Sequence, residues 1–232
     1  MSNVGDPRRS CARERRHAAS WLLGGGLMFA SCIAVPARAQ SPVNELWPEL
    51  DVYWTPAKHQ RTLLELSGSS EREAAKKEAT IGVYQDYLQL PSGYLRLGYR
   101  FTFSTRDASY RESRLVAEVT ERLAGKTAWR LVERSRAEFR WVNGAYNWRL
   151  RERLHLQRFF ATPRRLDPRP YGTFEAYYYS QYNTIARLAG RAGVEVRLWP
   201  ASDVDVYLAR QENSRGEPAR VNALGITVKL YR

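Results

Sequence analysis

From residue 44 onward, apolar and polar residues alternate with a period of two, and no stretch carries the 3.6-residue apolar repeat of an amphipathic helix. The C-terminus is the clearest case: Leu224, Ile226, Val228 and Leu230 alternate with Gly225, Thr227, Lys229 and Tyr231. An extended strand projects successive side chains to opposite faces, so this segment has one apolar and one mixed face. Residues 94–103 repeat the pattern, with Leu95, Leu97, Tyr99, Phe101 and Phe103 against Arg96, Gly98, Arg100 and Thr102. Residues 187–198 do so again, with Leu188, Ala192, Val194, Val196 and Leu198 against Arg187, Arg191, Glu195 and Arg197.

Turn signals separate these runs: Thr55-Pro56, Pro91-Ser92-Gly93, Ala124-Gly125-Lys126, Asn143-Gly144 and Trp199-Pro200-Ala201-Ser202. Asn-Gly is the strongest, because a two-residue hairpin needs positive φ at both central positions. A hairpin at Asn143-Gly144 pairs Trp141 with Tyr146, Phe139 with Trp148 and Ala137 with Leu150 on one face. The other face then pairs Glu138 with Arg149, Arg136 with Arg151 and Arg134 with Arg153, a register in which apolar meets apolar and charge meets charge. Strand centres fall near Leu50, Leu64, Val83, Leu97, Ala117, Arg136, Arg151, Ala176, Gly193, Val206 and Ile226, eleven in all. Single-chain bacterial barrels have even strand numbers. The expectation is therefore an all-β, antiparallel transmembrane β-barrel of 12 strands, with 10 as the alternative. The adjustment comes either from residues 44–54 lying partly outside the barrel or from a strand concealed in residues 158–170.

Alternation does not say which face is inside, since a soluble barrel buries its apolar face and a membrane barrel turns it outward. Aromatic residues favour the membrane: Trp47, Trp54, Trp129, Trp141, Trp148 and Trp199 fall near strand ends or turns, as interfacial girdles do. Glu121, Glu152 and Arg210 share parity with apolar neighbours, so they are expected near strand ends, where a lipid-facing charge costs least.

The first forty residues set the compartment. Arg8, Arg9, Arg13, Arg15 and Arg16 precede the apolar run 21–35, and the small-residue pattern Ala37-Arg38-Ala39 follows it. This is the layout of a secretory signal peptide cleaved before Gln40, and the run is shorter than the about 20 residues of a spanning helix. The domains expected are a signal peptide over 1–39 and an outer-membrane barrel over 40–232. Both cysteines, Cys11 and Cys32, lie in the removed part, which excludes disulfide staples and thiolate metal sites from the rest. Six of the 37 basic and two of the 24 acidic residues leave with it, so the mature part holds 31 against 22, a net charge of +9. For an exported chain, that excess points to outer-membrane lipids and lipopolysaccharide phosphates rather than nucleic acid.

The segments Leu46-Trp47-Pro48-Glu49-Leu50-Asp51-Val52-Tyr53, Arg134-Ser135-Arg136-Ala137-Glu138-Phe139-Arg140-Trp141, residues 207–216 and Val221-Asn222-Ala223-Leu224-Gly225-Ile226-Thr227 span nearly the whole mature chain. Together they resemble the bacterial outer-membrane family called domain of unknown function 2490. The resemblance implies an outer-membrane barrel and no activity. Such barrels usually end in an outward aromatic residue that the barrel-assembly machinery reads. Here the outward parity ends in Arg232, and Tyr231 is one position out of phase.

The hairpin register brings like charges opposite each other, which destabilises a sheet unless counter-charges are close. Glu118 and Glu175 on the flanking strands are the expected neutralisers. The candidate lumen and anion-binding set is therefore Arg134, Arg136, Glu138, Arg140, Arg149, Arg151, Arg153, His155, Glu118, Glu175, Arg191 and Glu195. Guanidinium forks in such a set suit phosphate or carboxylate groups. The leading function is thus a Gram-negative, porin-like barrel of structural or small-channel type that needs no cofactor. A lipid-modifying acyl hydrolase or acyltransferase is the alternative enzyme class. His155 is its candidate base, with His59 in a turn and no serine at a matching register. A soluble periplasmic lipid carrier with inverted faces is the third class. Glu49 and Asp51 show no metal-ligand spacing with a histidine, and glycine-rich nucleotide loops are absent.

Overall fold

The computed structural model describes residues 42–71, 77–106, 109–124, 128–160, 167–215 and 218–232, so the signal-peptide expectation over 1–39 lies outside the described residues. Eleven strands follow one another without helices among the described residues. They are β1 (Val43–Ala57), β2 (Gln60–Glu71), β3 (Lys77–Leu90), β4 (Gly93–Ser104), β5 (Arg111–Ala124), β6 (Trp129–Val142), β7 (Ala145–Arg158), β8 (Asp167–Tyr179), β9 (Thr184–Trp199), β10 (Ser202–Asn213) and β11 (Arg220–Tyr231). Each contains one of the eleven centres read from the sequence. All neighbours in sequence pair antiparallel, and β1 closes the ring against β11.

The expected twelve strands are corrected to eleven, and so is the assumption of an even number. When every connection is a hairpin, an odd count leaves the first and last strands running the same way, and β1 does pair parallel to β11, from Val43 with Val221 to Tyr53 with Tyr231. Neither proposed adjustment holds. Residues 44–54 belong wholly to β1, bonded on both sides. The described part of 158–170 contributes only the last residue of β7 and the start of β8.

Local chemistry explains the turns. Asn143 and Gly144 have φ of 50° and 87°, as the two-residue hairpin requires. The register of β6 with β7 matches the expected pairs from Val142 with Ala145 to Trp129 with Arg158. Thr55-Pro56 does not turn: β1 runs on to Ala57, and the chain reverses at residues 58–59. Proline costs nothing there, because its missing N–H falls where the β1–β2 register is already broken, between Trp54 and Ala57.

The apolar parity faces outward. Leu97, Leu115, Phe139, Leu150, Phe174, Val206 and Ile226 are exposed, while Arg96, Arg114, Glu138, Arg149, Glu175 and Asp205 on the other parity are buried. This corrects the inverted carrier, whose interior would be apolar. Trp54, Trp129, Trp141 and Trp199 stand outward near strand ends, and Trp148 packs at a tilt against Tyr178 with ring centroids 5.5 Å apart. Trp47 is the exception: it lines the interior and donates to Glu45 Oε2 at 2.5 Å. Tyr231 also turns inward, stacking on Tyr53 at 5.2 Å, which leaves Leu230 and Arg232 on the outer parity.

Two inward tyrosines lie flat over glycines. A Cβ on Gly98 would sit 2.2 Å from the Tyr84 ring, and one on Gly225 would sit 2.0 Å from that of Tyr207. The register explains the spacing, since Tyr84 is opposite Gly98 and Tyr207 stands between Gly193 and Gly225. Missing side chains let the wall bend, and the rings cover the exposed backbone.

Of the three outward charges, Glu121 and Arg210 lie within three residues of their strand ends, as expected. Glu152 does not: it sits in mid-β7 and accepts a hydrogen bond from Ser135 Oγ at 2.6 Å. The register is nevertheless the expected one, so the partner, not the position, reduces its cost.

Candidate functional site

The interior of the barrel is the site. A single cavity of about 1460 Å³ is lined from Leu90, Arg122 and Arg197 near one rim to Glu78, Tyr110 and Gln181 near the other.

One wall, from β2 to β8, is an arginine–carboxylate ladder. Glutamate is short and stays near the backbone wall, while arginine reaches across from neighbouring strands. Asp86 accepts Arg61 at 2.6 Å and Arg96 at 2.6 Å. Glu118 takes Arg136 Nε at 2.6 Å and lies 3.4 Å from Arg134. Glu138 accepts Arg149 Nε at 2.7 Å and Arg151 at 3.0 Å, with Arg114 and Arg136 at 3.6 and 3.7 Å. Glu175 accepts Arg151 at 2.7 Å, Arg153 at 3.2 Å and the Tyr177 hydroxyl at 2.8 Å. Glu112 pairs with Arg114 and Arg140. Nine arginines thus converge on five carboxylates that are almost fully enclosed, and the excess of guanidinium faces the cavity.

The facing wall has the opposite character. In a ring of eleven strands, β6 lies five strands from both β1 and β11. On β9, β10, β1 and β2 stand Glu195, Asp203, Asp205, Glu49, Asp51 and Glu65. Some are paired: Lys229 and Arg169 reach Glu195, Arg169 and Arg197 reach Asp203, and Arg100 reaches Glu65 at 3.0 Å. Among the described residues, Glu49, Asp51 and Asp205 form no ion pair. Asp51 accepts the Tyr53 hydroxyl at 3.1 Å and Asp205 that of Tyr171 at 2.9 Å, and each keeps a buried Oδ1 without a partner. Arg191 on β9 is the counterpart. Its guanidinium lies over Trp47 at 5.8 Å and Tyr207 at 5.1 Å and forms no ion pair among the described residues.

All twelve residues picked from the sequence lie on the inward parity. Glu118 and Glu175 neutralise Arg136 and Arg151 as expected, so those two arginines are structural; of the twelve, Arg191 forms no ion pair among the described residues, and Arg134 and Arg153 are only partly engaged, 3.4 Å from Glu118 and 3.2 Å from Glu175. The sequence reading missed Asp86, Arg96, Arg100, Glu112 and Arg114 on β3 to β5, and Asp203, Asp205 and Lys229 on the facing wall. Their signal was present, since Arg96, Arg100 and Lys229 sit on the polar parity of runs already recognised. His155 Nδ1 lies 3.0 Å from Thr173 Oγ1, and its ring is 4.9 Å from that of Tyr171. Among the described residues, no group of three or more histidine, cysteine, aspartate or glutamate side chains is arranged to hold a metal ion.

No family model and no curated protein matches the chain. Among solved structures it is similar to one described as a bacterial polysaccharide outer membrane secretin, with a TM-score of 0.50 and 12% sequence identity over 72% of this chain. The chain spans 62% of the length of that structure. At this identity the likeness concerns the barrel fold.

Proposed function

We propose that this protein is an outer-membrane barrel of small-channel type whose lumen admits anionic solutes. Membership of the family called domain of unknown function 2490 is part of the same proposal. The observation that carries it is a cavity lined from rim to rim whose guanidinium outnumbers its carboxylate along one wall. The outer face supports the membrane setting. On β6, Trp129 and Trp141 share the outward parity twelve positions apart, about 30 Å along the barrel axis at a strand tilt of roughly 40°, the thickness of a bilayer's hydrocarbon core. The barrel likeness to a structure described as an outer-membrane secretin is consistent with that setting. Lipopolysaccharide and outer-membrane lipids would surround such a belt, and the barrel-assembly machinery would insert it.

Reconstitution in planar bilayers tests the channel. Discrete conductance steps with a reversal potential favouring the anion in a salt gradient are expected. The Arg153→Gln/Arg191→Gln variant should move the reversal potential towards the cation side. A correctly folded barrel that passes no current would overturn the channel reading.

The outer face has its own test. If it contacts lipid, Glu152 and Ser135 satisfy each other in an apolar medium, and replacing both is favourable. Glu152→Leu/Ser135→Ala should stabilise the barrel in phospholipid vesicles by about 1 kcal/mol, read from the urea midpoint. Equal destabilisation in vesicles and in aqueous buffer would argue that this face meets water.

A further inference from the structure

We propose that the lumen selects small zwitterions, binding an oxyanion at Arg191 and an ammonium group at Asp51 and Asp205. The inference rests on the small-channel reading for the solute's access to the lumen, and it names the solute class.

Asp51 and Asp205 are 6% and 8% exposed, line the cavity, and each keeps a buried Oδ1 with no donor. A buried carboxylate oxygen without a donor is costly, and a cation arriving from the cavity removes that cost. The described side chains offer no three-ligand grouping for a metal ion. An ammonium group fits instead, being a compact charge whose three donors can be shared between separate carboxylates.

The anionic end is provided nearby. Ala209 is the β10 partner of Arg191, and Asp205 stands four residues further along the same strand, roughly 13 Å away at the backbone. Tyr207 stands between the two, with the Arg191 guanidinium 5.1 Å from its ring and that ring lying over Gly225. Ala209 and Ala223 beside it keep the wall shallow. Arg191 makes no ion pair among the described residues, so its N–H groups remain to meet a carboxylate or phosphate. A solute with both charges satisfies both ends at once, whereas a simple anion leaves the aspartates unsatisfied.

The test is calorimetric titration of the full-length, detergent-solubilised barrel with 4-aminobutyrate, butyrate and butylamine at equal ionic strength. These three share a carbon chain and differ in charge. The zwitterion should bind at least tenfold more tightly than either single ion. Asp51→Asn/Asp205→Asn should abolish that advantage by weakening 4-aminobutyrate without weakening butyrate, which loses two repelling charges, and Arg191→Gln should weaken both butyrate and the zwitterion. Heat-modifiable gel migration verifies folding, and if the double variant fails to fold, each single Asn variant carries the test with a partial loss. Butyrate binding as tightly as 4-aminobutyrate, or an advantage that survives in the Asn variants, would overturn the proposal. Binding needs no current. A barrel that shows the preference but does not conduct sinks only the channel reading, and one that conducts anions without the preference sinks only this inference.

Discussion

Glu138→Gln is expected to destabilise the barrel by about 3–5 kcal/mol, the range for breaking a buried ion pair from one side. Glu138 is fully buried on β6 and accepts from Arg149 and Arg151, with Arg114 and Arg136 in range. Glutamine preserves the shape and one acceptor oxygen but removes the charge that holds four guanidinium groups together. Their mutual repulsion, which the lumen screens only from one side, then opposes folding. The measurement is the urea midpoint of the barrel in detergent or vesicles, followed by tryptophan fluorescence and gel migration. Glu212→Gln is the control, because the exposed Arg210–Glu212 pair lies outside the ladder and is worth little. A Glu138→Gln midpoint within error of that control would mean that the ladder contributes no stability.

The second large effect is steric and divides the glycines into two groups. Gly98→Ala and Gly193→Ala should each cost about 1–3 kcal/mol, the usual range for overpacking. A Cβ at Gly98 would fall 2.6 Å from the Val83 carbonyl oxygen as well as on Tyr84, and one at Gly193 would fall 2.7 Å from the Val206 carbonyl oxygen. Backbone in the opposite strand cannot swing away as a side-chain tip can. Gly172→Ala on the outer face meets nothing within 4 Å. It should be neutral or stabilise by up to about 0.5 kcal/mol by narrowing the unfolded chain's freedom. The same urea titration ranks the three, and equal losses at Gly98 and Gly172 would show that the tyrosine–glycine fit is not what sets the penalty.

These two predictions draw on different levels of the molecule. Gly98 was visible as an irregularity in the polar parity of residues 94–103, but its reason lies in Tyr84 on the preceding strand. The acidity of Glu138 was visible too, and its pairing with Arg149 followed from the Asn-Gly hairpin. Its further reach to Arg114 needs β5 on the other side of β6, which the up-and-down order supplies. For Glu152, parity correctly foretold an outward side chain. Its mid-strand place follows from a strand centred on Arg151, and its bond to Ser135 from the hairpin register that sets the two opposite each other.

The sequence by itself located eleven strand centres, the 143–144 turn and the parity that each charge shares with its neighbours, because side-chain alternation and turn geometry act over a few residues; that the ring closes with eleven strands rather than twelve, and that the charged parity faces inward, came from the structure. Only the tertiary structure decided that β1 meets β11 in parallel, that Trp47 and Tyr231 point inward, and that Asp51, Asp205 and Arg191 are left without ion-pair partners among the described residues. Closure depends on the parity of the whole strand count, and charge pairing depends on which strands become neighbours and in what register. Both are fixed only when the ring is complete.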